Sequence, residues 1–121
     1  MKLISTIIEE TIELTTASGD VMLRVPVKLN VTQLASQITQ KQLELQAAAE
    51  SKDETSIGRA FVELCQLCLG EAPTEQLLEF YADDYATMIT DLTPFFTDVI
   101  FPEVRSAKER LMSAAKKVKV S

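Results

Sequence analysis

The 121-residue sequence contains no histidine and no tryptophan, only two cysteines and three glycines, and from residue 60 to residue 104 no lysine or arginine. Each scarcity excludes something. Without histidine there is no side chain that ordinarily titrates near neutrality, so the Ser-His-Asp and Cys-His arrangements of common hydrolases are ruled out. Glycines at 19, 58 and 70 spell neither a phosphate-binding loop nor a dinucleotide fingerprint. Cys65 and Cys68 form C-x-x-C, but zinc needs four ligands and there is no second pair. A thioredoxin-like motif needs a βαβ setting, whereas this pair falls between Leu64 and Leu69 in a helical pattern and reads as core thiols. No run approaches the ~18 apolar residues of a membrane span, and residues 1–15 carry Glu9, Glu10 and Glu13 where a secretory signal has its apolar core. The expectation is a cytoplasmic protein, not an enzyme, with no cofactor, no metal and no membrane partner.

What is present is an uneven charge. Residues 1–59 carry −2, residues 60–104 carry −9 and residues 105–121 carry +5. The nine acids of the middle segment are Glu63, Glu71, Glu75, Glu79, Asp83, Asp84, Asp91, Asp98 and Glu103, with Phe61, Phe80, Tyr81, Tyr85, Phe95, Phe96 and Phe101 among them. Such a segment repels phosphate backbones, so nucleic acid is not the expected main partner; the basic end complements a helix dipole. Asp83-Asp84, with Glu79 and Asp91 nearby, lacks the glycine and alternating spacing of a calcium loop and reads as capping on a solvated face. A hydrophobic fraction of 46% and a charged fraction of 25% are ordinary for a globular chain, and at this length one domain, residues 1–121, buries about two thirds of its extended surface.

The periodicities predict a mainly α (α+β) fold, an N-terminal β-hairpin packed on a bundle of four to five helices. Ile4, Ile8, Ile12 and Leu14 alternate with Ser5, Glu9, Thr11, Glu13 and Thr15, with an irregularity expected around Ile7 and Glu10. After the turn Ala17-Ser18-Gly19-Asp20, Val21, Leu23, Val25, Val27 and Leu29 alternate with Met22, Arg24, Pro26 and Lys28, so the hairpin spans residues 1–29, with Pro26 on an edge or at a bulge. Asn30 with Gln33, stapled by Leu29 and Leu34, starts a helix over 30–50 whose apolar face is Val31, Leu34, Ala35, Ile38, Leu45 and Ala49. Ser51 with Glu54 resembles a capping box for a helix over 53–69, closed by Gly70 in a left-handed conformation. Residues 74–92 are helical, as one helix or as two with Asp83 or Asp84 capping the second. Thr93-Pro94 reads as the cap and first residue of a helix over 94–119, kinked or broken near Pro102, with fraying expected beyond Lys116.

Five apolar residues in the seven from Phe95 to Phe101 exceed what one buried helix face needs. Phe95, Phe96, Val99, Ile100 and Phe101 are therefore the candidate partner-binding residues. The second half, from Arg59-Ala-Phe-Val-Glu-Leu-Cys-Gln-Leu-Cys-Leu-Gly70 through Leu77-Leu-Glu-Phe-Tyr81 and Met88-Ile89 to Pro94-Phe-Phe-Thr-Asp-Val-Ile-Phe-Pro102 and the basic helix, resembles the tail assembly chaperones of long-tailed phages and prophages. The resemblance implies an α-rich protein absent from the finished virion, which coats the tape-measure protein and delivers it to the growing tail tube. It also implies, in many members, a longer frameshifted form, with which Lys116-Lys117 is compatible. On this reading the partner is the tape-measure or another tail protein in the host cytoplasm, and homo-oligomerisation is left open. The alternatives are a structural or adaptor subunit of a phage-like particle and, third, an acidic inhibitor that mimics nucleic acid.

Overall fold

The computed structural model describes residues 7–15 and 18–120; Ile4, Ser5 and Ala17 of the expected hairpin lie outside the described residues. The period of two folds as an antiparallel pair, β1 (Ile7–Thr15) on β2 (Val21–Asn30). Ile8, Ile12 and Leu14 lie opposite Leu29, Val25 and Leu23 and form the inner face. Glu10 shares their phase, opposite Val27, but remains exposed without disturbing the register. The irregularity expected around Ile7 and Glu10 is instead beside the turn: Thr15 pairs with Val21, which leaves Met22 as an extra residue, 60% exposed. Pro26 faces Thr11 in unbroken register, and in a two-stranded sheet its missing N–H falls on the open edge.

A lone hairpin is marginal, and this one is held by helices: β1 touches α1 (Val31–Ser51), while β2 touches α2 (Glu54–Leu69) and α3 (Glu71–Phe80). The α1 start follows from local chemistry, since Asn30 Oδ1 accepts the Gln33 N–H at 3.1 Å with Leu29 buried and Leu34 packed on the core. Its last inward residue is Ala48, and Ala49 is exposed. Ser51 does not cap the second helix. It ends α1, donating its hydroxyl to the Ala48 carbonyl, and Lys52 takes a left-handed conformation (φ 58°). The cap of α2 is Asp53, whose carboxylate accepts the N–H groups of Thr55 and Ser56 and the Ser56 hydroxyl. Gly70 ends α2 with φ +99° and ψ 162°, so it is extended in ψ rather than left-handed, and this lets α3 begin at once. Pro73 sits in the first turn of α3, where its missing amide has no helical partner to lose. Thr74, fully buried, donates its hydroxyl to the Gly70 carbonyl at 2.7 Å.

Residues 74–92 hold two helices. Ala82 and Asp83 both take positive φ between α3 and α4 (Tyr85–Phe95), and Asp84 caps α4 by accepting the Thr87 N–H and hydroxyl. The expected helix start at Thr93-Pro94 is absent: Pro94 lies inside α4, and the Thr93 hydroxyl turns back to the Ile89 carbonyl. Nor does the chain break at Pro102. One π turn, Phe96–Ile100, joins α4 to α5 (Phe101–Val120), so the backbone is helical from Tyr85 to Val120.

The spacing of buried residues explains the wide turn. Met88, Leu92, Phe96, Ile100 and Val104 recur every four residues, and on an α-helix each step of four drifts about 40° around the axis. A turn holding more than four residues swings the stripe back toward the core, and it also moves the Asp98 carbonyl away from the Pro102 ring. Phe96, 2% exposed, sits at the centre, its ring edge-on to Phe61 at 5.5 Å and to Phe95 at 5.9 Å.

Candidate functional site

The structure divides the candidate partner residues. Phe96 and Ile100 are core and present no surface, whereas Phe95, Val99 and Phe101 are half-buried against the same cluster. The apolar excess of this segment is thus mostly absorbed by a helix that is covered on more than one side. Cys65 and Cys68 are free thiols on the buried face of α2; burial pushes Cys68 up to about 12 and Cys65 higher still, Cys65 with a further push from the neighbouring thiol. Some acids of the middle segment have local occupations. Asp84 caps α4, and Asp91 Oδ2 accepts the Tyr81 hydroxyl at 2.9 Å. Burial and that carboxylate both raise the Tyr81 phenol well above its ordinary value.

What the sequence did not reveal is a groove of about 1000 Å³ between the first half of α2 and the entry to α4. It exists because the two positive-φ residues Ala82 and Asp83 turn the chain back so that α4 starts beside α2. Ile57, Gly58 and Val62 on α2 and Tyr85 and Ile89 on α4 line its floor. The Tyr85 ring approaches so closely over Gly58 that a methyl there would meet it at 3.6 Å. A glycine within an otherwise strong helical pattern, followed by a tyrosine just after a turn, was the available signal.

The rim is acidic: Glu54, Glu63, Asp83 and Asp84, against Arg59 as the one cation among the described lining residues. Lys41 lies beside it and holds Glu63 at 2.9 Å and Glu44 at 3.1 Å, and these hydrogen bonds raise its pKa. Hydrogen bonds from the Thr87 hydroxyl and N–H lower the pKa of Asp84, so its charge persists under mildly acidic conditions. An apolar floor bounded by carboxylates can take a helix with an apolar stripe flanked by cations.

A second uncovered surface lies on α5. Val104 and Ala107 are buried, but every described side chain from Glu109 to Val118 is exposed, including Leu111 at 64% and Met112 at 61%. Among the described residues Arg105, Lys108, Arg110, Lys116 and Lys117 form no ion pair. No described helix is long and apolar enough to cross a membrane. No family model, no curated protein and no solved structure matches the chain.

Proposed function

We propose that this chain is a binding protein for helical segments, acting as a tail assembly chaperone of the phage type that keeps the tape-measure protein soluble while the tail tube assembles. The observation that carries the reading is the groove, whose floor of Ile57, Val62 and Ile89 lies open between Glu54 and Asp83. A client helix with an apolar stripe and cationic flanks satisfies both parts at once, whereas an isolated apolar helix in water would aggregate. The resemblance of residues 59–102 to these chaperones supports the same assignment.

Co-expression with the tape-measure protein of the neighbouring gene is the test. The soluble fraction of that protein should rise with this chain and fall back when Ile89→Lys places a cation on the groove floor. If the soluble fraction is unchanged by co-expression, the proposal is wrong. A second reading, an adaptor subunit, is favoured by the hairpin itself, because among the described residues its sheet has two strands and a neighbour's strand can extend it along β2. It requires the protein to be found in purified particles, from which a chaperone is absent.

A further inference from the structure

Two unsatisfied surfaces of opposite charge sit on one rigid element. The groove begins at Tyr85, the first residue of α4, and the basic exposed turns of α5 centre on Leu111 to Lys117. The backbone is helical throughout between them, so about 45 Å separates the groove from the turns around Ala115 at 1.5 Å per residue. The basic turns therefore have no path to their own groove, because reaching it demands a break in the helix that the structure does not contain.

We infer that the basic turns of α5 in one copy dock in the acid-rimmed groove of a second copy. Leu111, Met112 and Ala115 supply the apolar contact with Ile57, Val62 and Ile89. Arg110, Lys116 and Lys117 face the rim at Glu54 and Asp83, while Glu63 is already tied to Lys41. Charge complementarity identifies the occupant. The rim carries an excess of acid, and the five unpaired cations at 105, 108, 110, 116 and 117 are the largest such group among the described residues, arranged around the exposed apolar pair. Because donor and acceptor surfaces differ, the contact either closes as a reciprocal two-fold pair, each helix in the other copy's groove, or propagates head to tail. The groove is shared with the function proposed above, but the client is not, so the two stand or fall separately.

Sedimentation of the purified full chain at rising concentration tests this. In about 0.1 M salt the average mass should climb above the 13.4 kDa of one chain, levelling at two copies if the pair closes reciprocally and passing two if it propagates. In about 1 M salt, where the screening length drops from about 10 Å to about 3 Å, it should shift back toward one. Two variants follow. Leu111→Ser with Met112→Ser removes the helix surface and leaves the groove; Glu54→Lys with Asp83→Asn alters the groove rim and leaves the helix. All four positions are exposed, so folding is preserved and is checked by a cooperative thermal transition, with a slightly lower midpoint where Glu54→Lys puts a cation in the first turn of α2. Each variant alone should remain at 13.4 kDa. Mixed, they retain one intact interface between them and should form a one-to-one pair that grows no further. A wild-type chain that stays single at every concentration overturns the inference. So does a groove variant that still self-associates, which would mean that α5 pairs with α5. A mixture that forms no pair overturns it as well. Solubilisation of a client by the Leu111→Ser/Met112→Ser protein is independent of the outcome, since its groove is untouched.

Discussion

Phe96→Ala decides between two roles for the aromatic segment of residues 95–101, as a partner surface or as the keystone of the core. Its side chain is 2% exposed, and its ring lies edge-on to Phe61 at 5.5 Å and within 6.0 Å of Phe101. Truncating a buried phenylalanine costs about 3–5 kcal/mol, from lost transfer energy plus the cavity left behind. For 121 residues the unfolding entropy is about 0.25 kcal/mol per degree, which converts that cost to a fall of about 12–20 °C in thermal midpoint. Total stability for such a domain is about 5–15 kcal/mol, so the cost takes a large share of it and the midpoint falls in both heat and urea. Calorimetry and urea titration followed by circular dichroism measure it. A double-mutant cycle with Phe61→Leu should return a coupling of about 0.5–1.5 kcal/mol for the edge-to-face pair. Phe95→Ala, at a half-buried position, should cost distinctly less than Phe96→Ala. A surface phenylalanine changes stability by about 0.5 kcal/mol or less. A midpoint lowered by only about 2 °C in Phe96→Ala would refute the placement of this ring and, with it, the π turn that directs it inward.

Three further outcomes follow from local geometry. Gly58→Ala should stabilise the chain by about 0.5–1 kcal/mol, because α2 gains a better helix former while the new methyl meets Tyr85 at an ordinary 3.6 Å; a lower midpoint would show that the ring sits tighter than this. Asp53 has its pKa lowered, first by the Ser56 hydroxyl and then by the Ser56 N–H, so its cap stabilises the fold above about pH 4 and is lost as pH falls through the folded value. Asp53→Asn keeps a capping oxygen without a titrating proton and should match the native midpoint at neutral pH while flattening its acid decline; parallel acid curves would contradict this. Burial raises both thiols, Cys68 to about 12, so a thiol reagent at about pH 8 should label the native chain only as fast as it opens, and both cysteines at once in denaturant. Immediate labelling of either cysteine in the native chain would place α2 wrongly.

The parts of the fold that were legible in the sequence are those fixed by short-range chemistry. The hairpin alternation, the Asn30 cap with its Leu29 and Leu34 staple, and the inward Cys65 and Cys68 all depend on residues within one turn of each other. Prolines were misread because their local grammar is ambiguous. Thr93-Pro94 has the form of a helix start, but the apolar stripe Met88, Leu92, Phe96 crosses it without interruption, and burying that stripe outweighs the lost hydrogen bond. Ser51 lost the α2 cap to Asp53 because α1 continued one residue further, a boundary that propensity alone does not locate. The groove was illegible for a different reason. Neither Val62 nor Ile89 departs from the pattern of its own helix, and only the reversal at Ala82 and Asp83 brings their outward sides together.

The segregation of charge, the most conspicuous property of the sequence, is explained in part without any partner. Asp53 and Asp84 cap helices, Glu54 and Glu71 lie in first turns, and Lys116 and Lys117 lie toward the end of α5, positions that a helix dipole favours. Charge alone is therefore weak ground for a function. Helix electrostatics does not account for Leu111 and Met112 standing in water, where a polar residue would cost α5 nothing, or for the half-buried Ile57, Val62 and Ile89 that form the floor of an open groove. On the proposed readings the apolar surfaces supply the contact and the charges around them select the occupant. The two contributions separate experimentally, because added salt weakens the selection while strengthening apolar contact, so an association that grows with salt would leave the groove a binding site but remove the basic helix as its ligand.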